Sequence, residues 1–312
     1  MKILFLSFLL FVMLGAFNQP LPAFEEKEPT VPSAEELKLI SEAVPKEPSV
    51  VPLKARKILV FSVAWGYIHH AIPWGIAAIK AMAENSGAFD IVVSNDISMF
   101  ESDNLSQFDA VIFNNTNQEI FLPENFENLS AQEQAAALET DARLKKNFAA
   151  FLKSGKGLAV IHAGLASFRT WPEFGRIIGA RFDNHPWNSG STITVKVDEP
   201  THLLTQAFQK RKFEVTDEIY QVTGEYSRDS LRVLLSNDTS RTDMTNGNIH
   251  RTDGDFALSW IKNYGSGRIF YFAFGHDKQI YWSAPLLRYL QDGIQFAAGD
   301  LACDTRPSSA VK

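Results

Sequence analysis

Gly157-Leu158-Ala159-Val160-Ile161 is an unbroken apolar run that passes directly into His162-Ala163-Gly164. Apolar residues with no polar alternation read as a strand buried on both faces, and the small residues behind them as a tight turn. Upstream, residues 130–154 have the pattern of a long helix: Ser130 with Glu133 three residues on is a capping box, and Gly155 supplies the stop. Residues 57–63, 89–94 and 110–114 are similar apolar runs. A helix pattern over 73–85 separates the first two, with Pro73 suited to its first turn, and a shorter one covers 172–178. Strand–helix alternation of this kind predicts an α/β fold with a mostly parallel sheet and helices on both faces. From Ser191 the pattern changes. Residues 192–197 alternate polar and apolar, and 213–222, 231–235, 256–261 and 268–274 read as further strands, with Gly265-Ser266-Gly267 as a hairpin turn. The second half is therefore expected to carry an antiparallel extension, closed by an amphipathic helix over 282–298.

The 312 residues suffice for a sizeable core, and a net charge of −6 without any Lys/Arg-rich run excludes a nucleic-acid footprint. Met1-Lys2 followed by the apolar residues 3–14 reads as a secretory signal peptide over 1–23, too short to span a membrane. Residues 24–56, with Pro29, Pro32, Pro45, Pro48 and Pro52, read as a mobile linker holding one short helix at 34–43; 57–300 form the α/β domain and 301–312 a tail. The mature protein is thus expected in the periplasm or outside the cell, with no membrane span. The only cysteine is Cys303, which excludes an intramolecular disulfide and thiolate metal sites and makes a catalytic cysteine improbable.

Four of seven histidines follow strands or apolar runs: His70, His162, His185 and His276. In a parallel sheet the strand carboxyl ends share one edge, where ligands bind, so these side chains are expected to converge there. Imidazole suits both proton transfer near neutral pH and zinc binding. His162 stands where a nucleophile elbow would expose its side chain, without a G-x-S-x-G frame. So exposed, it would contribute little to packing, and its loss should leave the fold intact. A hydrogen-bonded histidine stabilising the turn is the alternative. His69 and His70 are adjacent and cannot face the same point; His70 is assigned to the pocket and His69 to the surface. Pro186 biases His185 to an extended backbone, and Trp171 and Trp187 are candidates for stacking on a sugar face or for packing. Asp217-Glu218 lie inside an expected strand, so at most one faces the pocket.

The ordered motifs 57–63 with His70, Leu158 to Ala163, Trp171-Pro172-Glu173-Phe174, Phe182 to Pro186, Thr216-Asp217-Glu218 and Gly275-His276 resemble the ThuA-like (trehalose-utilisation) family, over roughly 57–300. The resemblance implies a flavodoxin-like sheet related to class I glutamine amidotransferases. His162 falls where those enzymes carry cysteine, so amidotransferase chemistry is not expected. It also implies sugar catabolism, with a sugar, keto-sugar or glycoside as small-molecule partner. His162, His185, His276 and Glu218 become catalytic candidates; Tyr67, His70, Trp171 and Trp187 become substrate-binding candidates. His162, His185 and His276 are candidate ligands if a divalent metal such as zinc binds. Two functions stay open: an exported enzyme, or a noncatalytic carbohydrate-binding or scaffolding protein.

Overall fold

The computed structural model describes residues 31–209 and 211–311; the signal-peptide reading and the first part of the expected linker lie outside them. The four apolar runs of the first half form β1 (Lys57–Phe61), β2 (Asp90–Val93), β3 (Ala110–Asn114) and β4 (Gly157–Ile161), parallel neighbours in the order β2-β1-β3-β4. Every residue of β3 and β4 is buried, as a sheet covered on both faces requires. Their connections carry α2 (Ile72–Ser86), α3 (Ser102–Ser106) and α4 (Ala131–Lys153). The capping box of α4 forms as expected, with Ser130 N donating to Glu133 Oε2 at 2.9 Å. Phe61, Phe100, Phe113 and Phe148 meet at ring separations of 5.0–6.3 Å, so much of the high phenylalanine content is core.

After β4 come α5 (Pro172–Ile178), β5 (Arg181–Trp187), β6 (Thr192–Val197), β7 (Lys212–Thr216), β8 (Ile219–Thr223), β9 (Arg232–Asn237), β10 (Ala257–Tyr264), β11 (Gly267–Phe272) and α6 (Ala284–Ala298). β11 pairs parallel to β4. β10, β9, β6 and β7 then continue the sheet antiparallel, giving nine strands, while β5 and β8 form a separate two-stranded sheet. The expected hairpin turn is present between Tyr264 and Gly267, with Gly265 at φ +60°.

Three expectations are corrected. Residues 213–222 are two strands in different sheets, broken at Asp217-Glu218. His185, expected to follow an apolar run, lies within the strand β5, whose pairing with β8 is irregular. Much of the expected linker is docked: Ile40 of α1 (Ala34–Ala43) and Val44 at its end join the core, and Ser49 N donates to Gln295 Oε1 on α6 at 2.9 Å. The tail is held too, with Ser308 N donating to Leu231 O at 2.9 Å. Among the described residues no helix is long and apolar enough to cross a membrane.

Candidate functional site

Among the described residues, four non-glycine residues have left-handed backbones: Asn115 and Gln118 after β3, His162 and Phe168 after β4. Such strain costs on the order of 1–3 kcal/mol per residue and gathers where function requires it. At His162, φ is +44°, so the chain turns sharply as β4 ends; Gly164 permits the turn, since a Cβ there would stand 2.6 Å from Val160 Cγ1. The turn does not expose the ring, contrary to expectation. His162 is fully buried and forms the floor of the site. Its Nδ1 lies 2.7 Å from Ala273 O, and because a carbonyl only accepts, Nδ1 carries the proton. The lone pair of Nε2 then faces inward, without a hydrogen-bond partner.

Imidazoles from other segments gather around it. The ring of His69 lies 5.1 Å from both His162 and His276, and His162 and His276 are 5.4 Å apart. Glu218 stands among them: Oε1 is 3.5 Å from His162 Nε2, and Oε2 is 3.6 Å from His276 Nε2 and 3.4 Å from His185 Nδ1. His276 Nδ1 lies 3.0 Å from Asp277 Oδ1, which turns Nε2 toward Glu218. Asp277 is in turn held by Ser189 Oγ at 2.5 Å and Gly190 N at 2.9 Å.

Burial, reinforced by His162 and His276, pushes His69 down to about 2. Burial likewise holds His162 below its ordinary value, against the opposing pull of Glu218. Burial opposes the charge on Glu218, but contact with His162, backed by His276 and His185, wins and keeps its carboxyl below the usual range. Asp217, fully buried, is raised well above the usual range by burial, even though backbone N–H groups of Gly275 and Asp277 favour its charge. The centre of the site is thus neutral imidazole facing carboxylate.

Two acceptors 3.5 Å apart in a buried place repel unless a proton or a cation lies between them. One ligand atom each from His69, His162 and Glu218 lies within 4.8 Å of the others, a nitrogen–oxygen set that suits zinc or a similar divalent ion. The bond from His162 Nδ1 to a carbonyl and that from His276 Nδ1 to a carboxylate are the outer partners that metal-bound histidines use. The donors fit a metal, with His69 and Glu218 in the set and His162 at its base; His185 and His276 reach it only through Glu218.

Other expected residues are divided. Tyr67 is at the mouth, its hydroxyl 3.4 Å from His276 Nε2. His70 is exposed beside it, its ring 5.8 Å from that of His276. The assignment of His69 to the surface is overturned: it is buried in the cluster. Trp187 is buried against Phe256 with its N–H on Asp243 O and is a packing residue, whereas Trp171, half-buried, packs on Phe168 and Phe174 and borders two cavities that contain none of the histidines. Asp217 and Glu218 both serve the site, because the break between β7 and β8 frees them from strand alternation. A cavity of about 590 Å³ lined by Phe208, Phe213, Val215 and Leu286 contains none of the histidines and is mostly apolar; the chemistry lies in the cluster.

The family model ThuA, described as trehalose utilisation, matches residues 57–297, well over half of the chain. No curated protein matches significantly. Among solved structures, a ThuA-like protein from Bacteroides uniformis is 22% identical with a TM-score of 0.52, covering 76% of this chain and 92% of its own. One from Parabacteroides merdae is 18% identical at 0.52, covering 82% and 99%. A cytoplasmic protein from Salmonella typhimurium is 14% identical at 0.53, covering 77% and 98%. At these identities the structures speak for the fold alone.

Proposed function

This chain belongs to the ThuA, or trehalose-utilisation, family, and from that membership and the geometry of its strand-end cleft we propose that it is an exported enzyme acting on a sugar, keto-sugar or glycoside. The observation that carries the reading is Glu218, whose carboxylate stands 3.4–3.6 Å from imidazoles on three separate segments. A binding module would present an aromatic platform with few buried titratable groups. Here Trp187 is buried as a packing residue, and the ionisable groups converge within reach of one another, as catalysis requires.

Glu218, held ionised, acts as the base that takes a proton from a carbon or hydroxyl of the sugar. His276, held at Nδ1 by Asp277, presents Nε2 on the same edge, and Tyr67 covers the substrate from the mouth. His185, half in solvent on β5, stands on the outer side of Glu218. If a divalent ion binds, His162 and His69 with Glu218 would hold it and it would supply Lewis acidity toward a carbonyl or hydroxyl oxygen; Glu218 would then serve as ligand in place of base. Amidotransferase chemistry does not fit: the lone Cys303 lies on the C-terminal segment, where burial pushes its thiol up to about 12.

The test is turnover of a panel of 3-keto and unmodified glucosides and disaccharides by the purified protein, with its metal content measured in parallel. Turnover that Glu218→Gln abolishes supports the enzyme. Sugar binding that is unaltered in Glu218→Gln, with no turnover by the wild type, favours the noncatalytic carbohydrate-binding alternative. N-terminal sequencing of protein recovered from its native cells tests export, and an intact Met1 counts against it.

A further inference from the structure

β3 ends at Asn114 and runs on into Asn115-Thr116-Asn117, four consecutive polar residues that the proposed reaction leaves without a role. Their relative exposures are 0, 0, 0 and 5%, an unusual run to bury unless each polar group has a partner. Asn115 is the one that reaches both histidine-bearing turns. Its Nδ2 donates to Gly275 O at 3.0 Å, and its Oδ1 accepts from Ala163 N at 3.3 Å. Gly275 precedes His276 and Ala163 follows His162, so one side chain spans the backbones that carry the two rings. Asn115 is itself held at φ +54°, a conformation that asparagine tolerates better than most residues.

The same Gly275 peptide is gripped from the other side. Asp217 Oδ2 accepts from Gly275 N and its Oδ1 from Asp277 N, both at 2.7 Å. Gly275 has φ +121°, and a Cβ on it would stand 2.6 Å from Tyr281 Oη, so the peptide fits only as glycine. We propose that Asn115 and Asp217 are positioning residues that clamp the Gly275 peptide between them and so fix His276 relative to His162. Asn115 couples the two turns. Asp217 holds only the His276 side, and neither touches the substrate. The proposal rests on the reading of His162 and His276 as working groups, but the clamp itself is a matter of geometry.

Asn115→Gly and Asp217→Asn test it. Glycine keeps the left-handed backbone at 115 while removing both hydrogen bonds, and asparagine keeps one acceptor at 217 in nearly the same volume. Crystal structures of both variants read the clamp directly. In the wild type the His162 and His276 rings are 5.4 Å apart. In Asn115→Gly both turns should shift and this separation should change by about 1 Å; in Asp217→Asn the His276 turn should move while His162 stays. Misplacement of that size costs roughly 10²-fold in rate, read as a fall in kcat with KM nearly unchanged on whichever panel sugar is turned over. Rings left in place in both variants overturn the clamp. Displaced rings with unaltered kcat overturn its catalytic meaning. If the wild type turns over no sugar, the proposed reaction fails, and the crystal structures still decide the clamp.

Discussion

Where the segment from Glu47 to Leu53 crosses α6, backbone groups meet side chains made for them, whereas at the strand ends buried side chains are left facing one another. Arg288 and Gln291 both donate to Glu47 O, Gln295 accepts from Ser49 N and donates to Val50 O, and Asp300 accepts from Leu53 N. In the cleft, His162 Nε2 and His69 Nδ1 are buried with no hydrogen-bond partner. A buried polar group without a partner costs about 1–3 kcal/mol, and the left-handed backbone at His162 adds to that. Over α6 one such atom, Gln291 Oε1, is likewise without a partner, but in the cleft the unpaired atoms are imidazole nitrogens gathered beside a carboxylate. The strap is architecture, and the cleft is kept ready for a proton, an ion or a substrate.

The sharpest way to break that contrast is Glu218→Gln. It keeps the size of the side chain and removes the charge that the imidazoles face. Turnover should fall about 10²–10⁴-fold, while the thermal midpoint stays level or rises, because a partly buried charge is gone. Turnover within a factor of a few of the wild type would make the cluster a structural feature like the strap. Next is His162→Ala. Full burial and the bond to Ala273 O predict a loss of about 2–4 kcal/mol in denaturant unfolding, from the cavity and the orphaned carbonyl. An unchanged midpoint would mean that the ring contributes to chemistry alone.

Acidity separates the regions by sign. His69 is pushed down to about 2 by burial and its neighbouring imidazoles, so it is neutral when folded and takes a proton when unfolded below about pH 6.5. Its contribution is present above that pH and is lost as the pH falls. The expected loss is on the order of 1 kcal/mol between pH 6.5 and 5.5. Urea unfolding of metal-free protein at the two values measures it, and His69→Gln should flatten the slope. A slope that the variant leaves unaltered would place the acid sensitivity elsewhere.

Much of the sheet was legible because local signals agreed: β3, β4 and β6 fall on their apolar or alternating runs, and Ser130–Glu133 and Gly265 mark their ends and turns. The convergence of His162, His185 and His276 followed from strand-end logic. What escaped was set by tertiary contacts. Thr216-Asp217-Glu218-Ile219 contains no glycine or proline, yet the chain leaves one sheet there and enters another, which brings both carboxylates to the site. His69 and His70 are chemically identical neighbours, and only the path of the loop before α2 decides which is buried. The run Asn114 to Asn117 carried a signal, four polar residues at the end of a buried strand, but its meaning depends on partners 50 to 160 residues away. The docked segment before β1 looked like a linker because backbone groups satisfied by α6 leave no apolar pattern of their own.

An effect of similar size and opposite sign is expected on the strap. Asp292 on α6 is raised to about 6, first by burial, with the Ser49 hydroxyl and Arg288 pulling the other way. An acid raised in the folded state contributes stability below its unfolded value near 3.8; that contribution is lost as pH rises through about 6 and stays lost at neutral pH. The slope is therefore opposite to that of His69 over the same range. Asp292→Asn keeps an acceptor for Ser49 and removes the charge, so it should stabilise the protein by about 1–2 kcal/mol at pH 7.5 and by nothing near pH 4. Thermal melts at the two pH values check it. A variant that is less stable at pH 7.5 would mean that the charged Asp292–Arg288 contact, 3.9 Å long, outweighs burial. In that case the strap would depend on an ion pair, and its difference from the cleft would be one of degree.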